Sequence, residues 1–405
     1  MSRAVVIGGG ITGTLVAMEL RRSGREVVLL EGQHVGAGSS SRTAAGIRQQ
    51  FSTRETVLGM RYSVDFYRRW SEIVGGGGDP IHQNGYLFLI DDPTRWEGAA
   101  RRVEDQKRWG LDDVEALSPD EVAARFPFVD SDAICGGTWC PSDGFLRPEV
   151  VYNDAAAAFR VQGGELRQNA EVTGSELLGG RLVAVETTKG RVEGDVFVDC
   201  TNAWTRRVAP LLGGTPLPVA ALKRYLWFFE RGGPMSSAEL LAMPLTIVPG
   251  GAYCRPENSA SLMVGWKHDA EDVSASFTYE DQDSVESGFS HKTGIDARPF
   301  DAWMALADVL PPVGEFAGIA ATTAGFYGTT PDHNPYLDID PQVPNLVRLV
   351  GFSGHGAMFG PFSARVAVEL CGGKHPGSIE VLGESVSLEA FRIGRPSGDA
   401  EAMVI

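Results

Sequence analysis

Three glycines and one carboxylate near the start of the chain have the types and spacing to hold a nucleotide. Gly8, Gly10 and Gly13 follow a short apolar run, and Glu31 closes a second one. Gly8 allows a tight turn out of a strand, Gly10 puts no side chain between backbone and a pyrophosphate, and Gly13 lets a helix pack closely on that strand. Ile11 and Thr12 then open a helix whose unpaired N–H groups and positive dipole end suit phosphate. Glu31, with Gly32 behind it, stands where an acid takes ribose hydroxyls and disfavours a 2′-phosphate. The pattern predicts a dinucleotide site and leaves FAD and NAD both open.

A second stretch, residues 35–51, is rich in small and polar residues, among them Ser40, Ser41, Arg42, Ala45, Gly46 and Ile47. Placed directly after the ribose acid, they let backbone approach the rest of a dinucleotide; the plainer alternative is a flexible Gly/Ser loop. A third stretch, Thr201-Asn202-Ala203-Trp204, joins a strand to a helix, a place where the chain of an α/β sheet can pass a bound cofactor. Val172, in an earlier strand, is grouped with these cofactor residues.

To position them the sequence supplies a βαβ unit: apolar 4–7, amphipathic 11–22, apolar 26–30. Further strands are expected at 85–90, 165–168, 171–177 (with a hairpin through Gly179 and Gly180 to 187) and 192–200. Helices are expected at 94–109, at 119–125 with Ser118 as N-cap and Glu121 three residues on, and at 148–162. From 217 to 265 apolar strands predominate, an antiparallel sheet suited to a substrate-side wall. Residues 269–294 read as polar loop and 299–309 as a helix stopped by Pro311 and Pro312. A strand at 317–323 leads into 324–336, and a strand at 346–350 meets the glycine-rich turn 351–356 before a helix from 362 to 370. The tail after 372 carries no strong signal.

Composition excludes several classes. With 405 residues, 52 acidic against 36 basic, the formal charge is −16, which opposes nonspecific attraction to nucleic acid or anionic membrane. No apolar run approaches the roughly 20 residues of a membrane span, and the first strand starts too early to leave room for a signal peptide, so a cytoplasmic protein is expected. Cys135, Cys140, Cys200, Cys254 and Cys371 lack the paired spacing of a zinc site, and no metal is expected. Cys135 and Cys140 are either a redox couple or incidental buried thiols.

Three stretches together resemble the glycine oxidase, sarcosine oxidase and D-amino-acid dehydrogenase group of FAD-dependent amine oxidoreductases. They are 8–13 with Glu31, the loop ending Gly46-Ile47-Arg48-Gln49-Gln50-Phe51, and the pair 329–335 with Gly351-Phe352-Ser353-Gly354-His355-Gly356. The resemblance spans nearly the whole chain and implies FAD rather than NAD. It implies an α/β fold: a discontinuous Rossmann-type, glutathione-reductase-like FAD-binding domain (1–83, 140–216 and 320–405) with an inserted antiparallel-sheet substrate domain (84–139 and 217–319). Gly354, His355, Gly356, Ala357 and Met358 are then expected along the flavin, where backbone N–H groups and a helix N-terminus favour negative charge. Arg48 matches an arginine near the flavin face, placed either to hold a substrate carboxylate or to satisfy loop carbonyls. His355 is either a catalytic contributor or a hydrogen-bonded structural histidine.

Departures from the family pattern carry information too. Gly325 stands where members with covalent flavin place a cysteine, which implies noncovalent FAD. Tyr327 stands where glycine oxidase-like members bind substrate carboxylate with an arginine, and either donates its hydroxyl or only packs. Met263 and Met358 stand where sarcosine oxidase-like members carry lysines, and the neighbouring Lys267 would share a strand face with Met263 without taking its place. Losing that cation counts against oxidase activity and leaves the electron acceptor either oxygen or unknown. The expected reaction is hydride removal from the carbon beside a small-molecule amine, with Arg48, Tyr327 and His355 on the substrate side. Alternatives are a flavin enzyme of a larger metabolite and an FAD-binding assembly protein.

Overall fold

The computed structural model describes residues 2–266, 299–396 and 400–403, with the backbone of Asp272–Val273. The expected loop at 269–294 and Lys267 lie outside the described side chains. Predominantly apolar runs form the first sheet, in the order Tyr336–Ile339, Leu346–Val350, Val196–Asp199, Arg3–Ile7, Glu26–Leu30, with the part-exposed Glu165–Arg167 at its edge. All neighbours are parallel except the first pair. Buried on both faces, such strands have no polar side to show. This α/β, Rossmann-like sheet draws its strands from widely separated parts of the chain.

The second sheet has nine strands among the described residues. Ala220–Glu230 is its spine, pairing antiparallel with Ser261–Trp266 and with Gly318–Thr329. The latter strand runs on past residue 320, so the return to the first sheet comes after Thr329, later than the expected boundary. One neighbour pair, Leu245–Ile247 with Tyr86–Ile90, is parallel, so the sheet is mixed rather than wholly antiparallel. Alternation sorts its side chains by face. Tyr225, Trp227 and Phe229 enter the core beneath the helices, while Leu226 and Phe228 join Tyr86, Tyr253 and Met263 on the face that carries the site.

Local signals set most boundaries. Ser118 and Glu121 form the expected capping box of the Pro119–Arg125 helix. The expected strand at 192–200 is two strands, Gly190–Glu193 and Val196–Asp199, broken where Asp195 turns to cap the Arg3 N–H. The helix expected from Phe362 begins instead at Gly356 and continues to Leu370 through Pro361. Pro361 has no N–H for the carbonyl of Ala357, and the Tyr67 hydroxyl donates to that oxygen instead at 2.7 Å. The tail after 372 carries a hairpin, Ser378–Val381 with Glu384–Ser387. No helix among the described residues is long and apolar enough to cross a membrane.

Candidate functional site

The glycine motif forms a cradle by close approach. At Gly8 (φ +105°) a Cβ would stand 2.9 Å from the Cys200 carbonyl oxygen, and at Gly13 it would stand 1.8 Å from the Gly8 oxygen. Gly13 therefore makes the strand–helix packing and does not itself line the cavity. At Gly10 the space a Cβ would need belongs to the Ser40 hydroxyl, 2.7 Å away, which accepts from the Ile11 N–H at 3.0 Å. The Ile11–Arg22 helix has no cap from its own N-cap residue, Gly10, and no acid in its first turn, so beyond the Ile11 N–H held by Ser40 its first-turn dipole is left for the cavity.

Glu31 is buried, with one oxygen accepting from the Gly9 N–H at 2.7 Å and the other from the Gln33 N–H at 2.8 Å. Burial pushes its carboxyl up and these backbone donors pull it back. The cavity beside it measures about 440 Å³. Gly8, Gly10, Ile11, Thr12, Glu31, Gly32, Ser40, Val172, Thr201, Asn202, Trp204, Gly354, Gly356 and Ala357 all line it. So do Ser39 and Thr43 from the 35–51 stretch, Phe326 from the 324–336 stretch and Arg207, which stood in no named stretch.

Other expected cofactor residues stand behind the wall. Ser41 is exposed, Ile47 is in the core, and Arg42 donates to the Ala37 carbonyl at 2.7 Å, bracing the loop. Gly325 lies against Arg42, whose Cβ a side chain there would meet at 3.0 Å.

A smaller cavity of about 40 Å³ adjoins the first and shares Thr43, Tyr327 and Gly354 with it. Ala45, Gly46, His355 and Met358 line it, with Tyr86 and Tyr253 from the second sheet. The Tyr327 ring covers Gly354, where a Cβ would come within 2.5 Å of it, and the Tyr253 ring likewise covers Gly265. Burial raises the Tyr253 and Tyr86 phenols, so both stay protonated donors.

Arg48 departs from the expected substrate contact. It is fully buried and lines neither cavity. Its Nη1 donates to the Gln50 carbonyl, its Nη2 to the Met403 carbonyl, and Cζ lies 3.9 Å over the Phe51 ring. Nη2 also faces His355 Nε2 at 3.2 Å. A guanidinium only donates, so Nε2 accepts and the His355 proton sits on Nδ1. Burial, with Arg48 and His333 nearby, holds this imidazole well below its ordinary value and therefore neutral. Arg48 thus orients His355 from behind.

The FAD dependent oxidoreductase family profile matches residues 3–370. The chain belongs to that family. Within it, the chain is 27% identical over 417 residues to FAD-dependent oxidoreductase domain-containing protein 1 of Bos taurus, covering 91% of this chain and 81% of that protein. It is 26% identical to mitochondrial sarcosine dehydrogenase of Homo sapiens, covering 89% of this chain but 38% of that protein. The solved L-proline dehydrogenase from P. horikoshii superposes with a TM-score of 0.79 at 28% identity, covering 91% and 92% of the two chains.

The residues present fit the family's cofactor. A glycine turn that admits the Ser40 hydroxyl at Gly10, a helix end with no acid in its first turn and a buried ribose acid suit the ADP half. Gly354, Gly356 and the N-terminus of the Gly356–Leu370 helix lie at the other end, and that helix also lacks an acid in its first turn. All five cysteines are unpaired; the Cys135 thiol donates to the Asp91 carbonyl and the Cys140 thiol to Asp113. No group of metal-ligating side chains occurs among the described residues.

Proposed function

We propose that this protein oxidises the C–N bond of an amino acid or N-alkyl amino acid, using noncovalently held FAD. The observation that carries this reading is the small cavity of Tyr86, Tyr253, Tyr327 and His355, set against the cofactor cavity and walled by hydrogen-bond donors and aromatic rings. When bound, FAD supplies the two-electron acceptor. The protein's residues bind and orient: the phenols can take a carboxylate, the rings can face the amine, and the buried walls exclude water. The relatives named for sarcosine and L-proline support a small secondary amine. Noncovalent attachment is favoured by Gly325, which leaves no room beside Arg42, and by Cys200, whose buried thiol is raised well above its usual value. The second sheet, with its helices, serves as the substrate domain.

The test is anaerobic titration of the FAD-loaded protein with sarcosine, dimethylglycine, glycine and L-proline. At least one should bleach the flavin absorbance at a saturable rate. If none does while FAD is retained, the larger-metabolite or assembly reading replaces this one. Admitting oxygen afterwards should restore the colour slowly, because Met263 is buried where a cation would speed the step.

A further inference from the structure

Residues 401–403 reach the back of the small cavity from far along the chain. The Glu401 N–H donates to the Asp332 carbonyl at 3.0 Å, and its buried carboxylate accepts from the Ser52 N–H at 3.0 Å, the Ser52 hydroxyl at 2.7 Å and the Met403 N–H at 2.8 Å. The Ala402 N–H returns a bond to the Ser52 hydroxyl at 3.0 Å. This knot delivers the Met403 carbonyl to Arg48 Nη2, the nitrogen that faces His355.

We propose that Glu401, Ala402 and Met403 are positioning residues of the active centre, holding the Arg48 guanidinium so that it fixes His355 as the Nδ1–H tautomer beside the small cavity. Without the Met403 carbonyl, Nη2 has only the imidazole to hold it, and a buried guanidinium short of acceptors draws in water or turns away. The charges facing this pair come from every side: Arg48 and His333 bear on His355, while Glu401, Asp143 and the Tyr86 phenol bear on Arg48. Glu401 is thus both the knot and a countercharge. The relevance to amine oxidation rests on the function proposed above; the tautomer control does not.

The experiment uses the FAD-loaded protein labelled with ¹⁵N-histidine, the His355 signals being assigned by difference with His355→Gln. In the parent protein they should show one Nδ1–H tautomer that does not titrate around the ordinary imidazole value of about 6.5. A chain stopped after Ala400 should give averaged tautomers or a His355 that protonates near that value. Its rate of flavin reduction by the best amine at pH 7 should fall about tenfold at unchanged FAD content and KM. It should also gain a pH dependence near 6.5. Should the shortened chain fail to fold, Ser52→Ala carries the test, with the same changes at smaller size. Unchanged His355 signals in the folded variant overturn the proposal. Changed signals in a protein that no amine reduces uphold it and remove the function instead.

Discussion

Asp143 shows how one buried residue sets the site's backdrop. One of its oxygens accepts from the Gln49 N–H at 2.8 Å and the Gln49 side-chain amide at 3.0 Å, and the other from the Gln50 amide at 3.2 Å. Gln50 in turn donates to the Tyr86 carbonyl at 2.9 Å and accepts from Thr138, so one carboxylate ties the residues after Arg48 to the second sheet. Burial pushes the Asp143 carboxyl up to about 7, against the pull of those donors and of Arg48. The folded state then keeps a proton that the unfolded chain releases near 3.9, so this group's contribution to stability falls as pH rises between about 4 and about 7, by on the order of 4 kcal/mol at most. Asp143→Asn cannot ionise. Its urea midpoint should therefore climb relative to the parent across that window; a constant difference would show that Asp143 is ionised throughout.

At the scale of elements, the site depends on Asn202, at the start of the short turn 202–204. It adopts φ 48°, and its side-chain oxygen accepts from the N–H groups of Gly351 at 3.0 Å and Phe352 at 3.2 Å. One amide thereby aligns the strand end at Asp199 with the turn before the Gly356–Leu370 helix. Asn202→Ala leaves two donors unmet in a left-handed backbone and should cost about 1–3 kcal/mol. Melting temperature and the flavin-to-protein absorbance ratio should both drop, while Asn202→Asp, which keeps the acceptor, should hold both near the parent values; equal behaviour of the two would remove the bridging role. The contrast with the opening motif explains what could be read from sequence. Gly8, Gly10, Gly13 and Glu31 act within one βαβ unit, so spacing alone reveals them. Tyr86 and Tyr253 meet Tyr327 only because particular strands pair, and Arg48 faces inward because of a carbonyl at Met403, which no local pattern encodes. The helix start at Gly356, ahead of the expected Phe362, is hidden for a similar reason: the hydroxyl that replaces the donor Pro361 lacks comes from Tyr67.

At the scale of the whole molecule, a buried charge cluster at the edge of the first sheet joins segments that are distant in sequence. Arg348 is fully buried, 3.1 Å from Asp199 and 2.8 Å from Asp340, and it also donates to the Thr215 carbonyl and the Thr205 hydroxyl. Asp199 accepts from the N–H and hydroxyl of Thr201, a cavity residue, and Asp340 from those of Thr215. The cluster thus clamps the chain between the two sheets to the sheet that holds the nucleotide. Removing the cation strands two carboxylates in the interior, so Arg348→Met should cost about 3–5 kcal/mol, far more than the pair itself stabilises relative to apolar packing. The comparison is Arg191→Met, which breaks the exposed Arg191–Glu176 pair at 2.7 Å and should cost far less, because solvent screens that pair. Denaturation midpoints of the two variants decide it, and equal losses would mean that the clamp is only a packing feature.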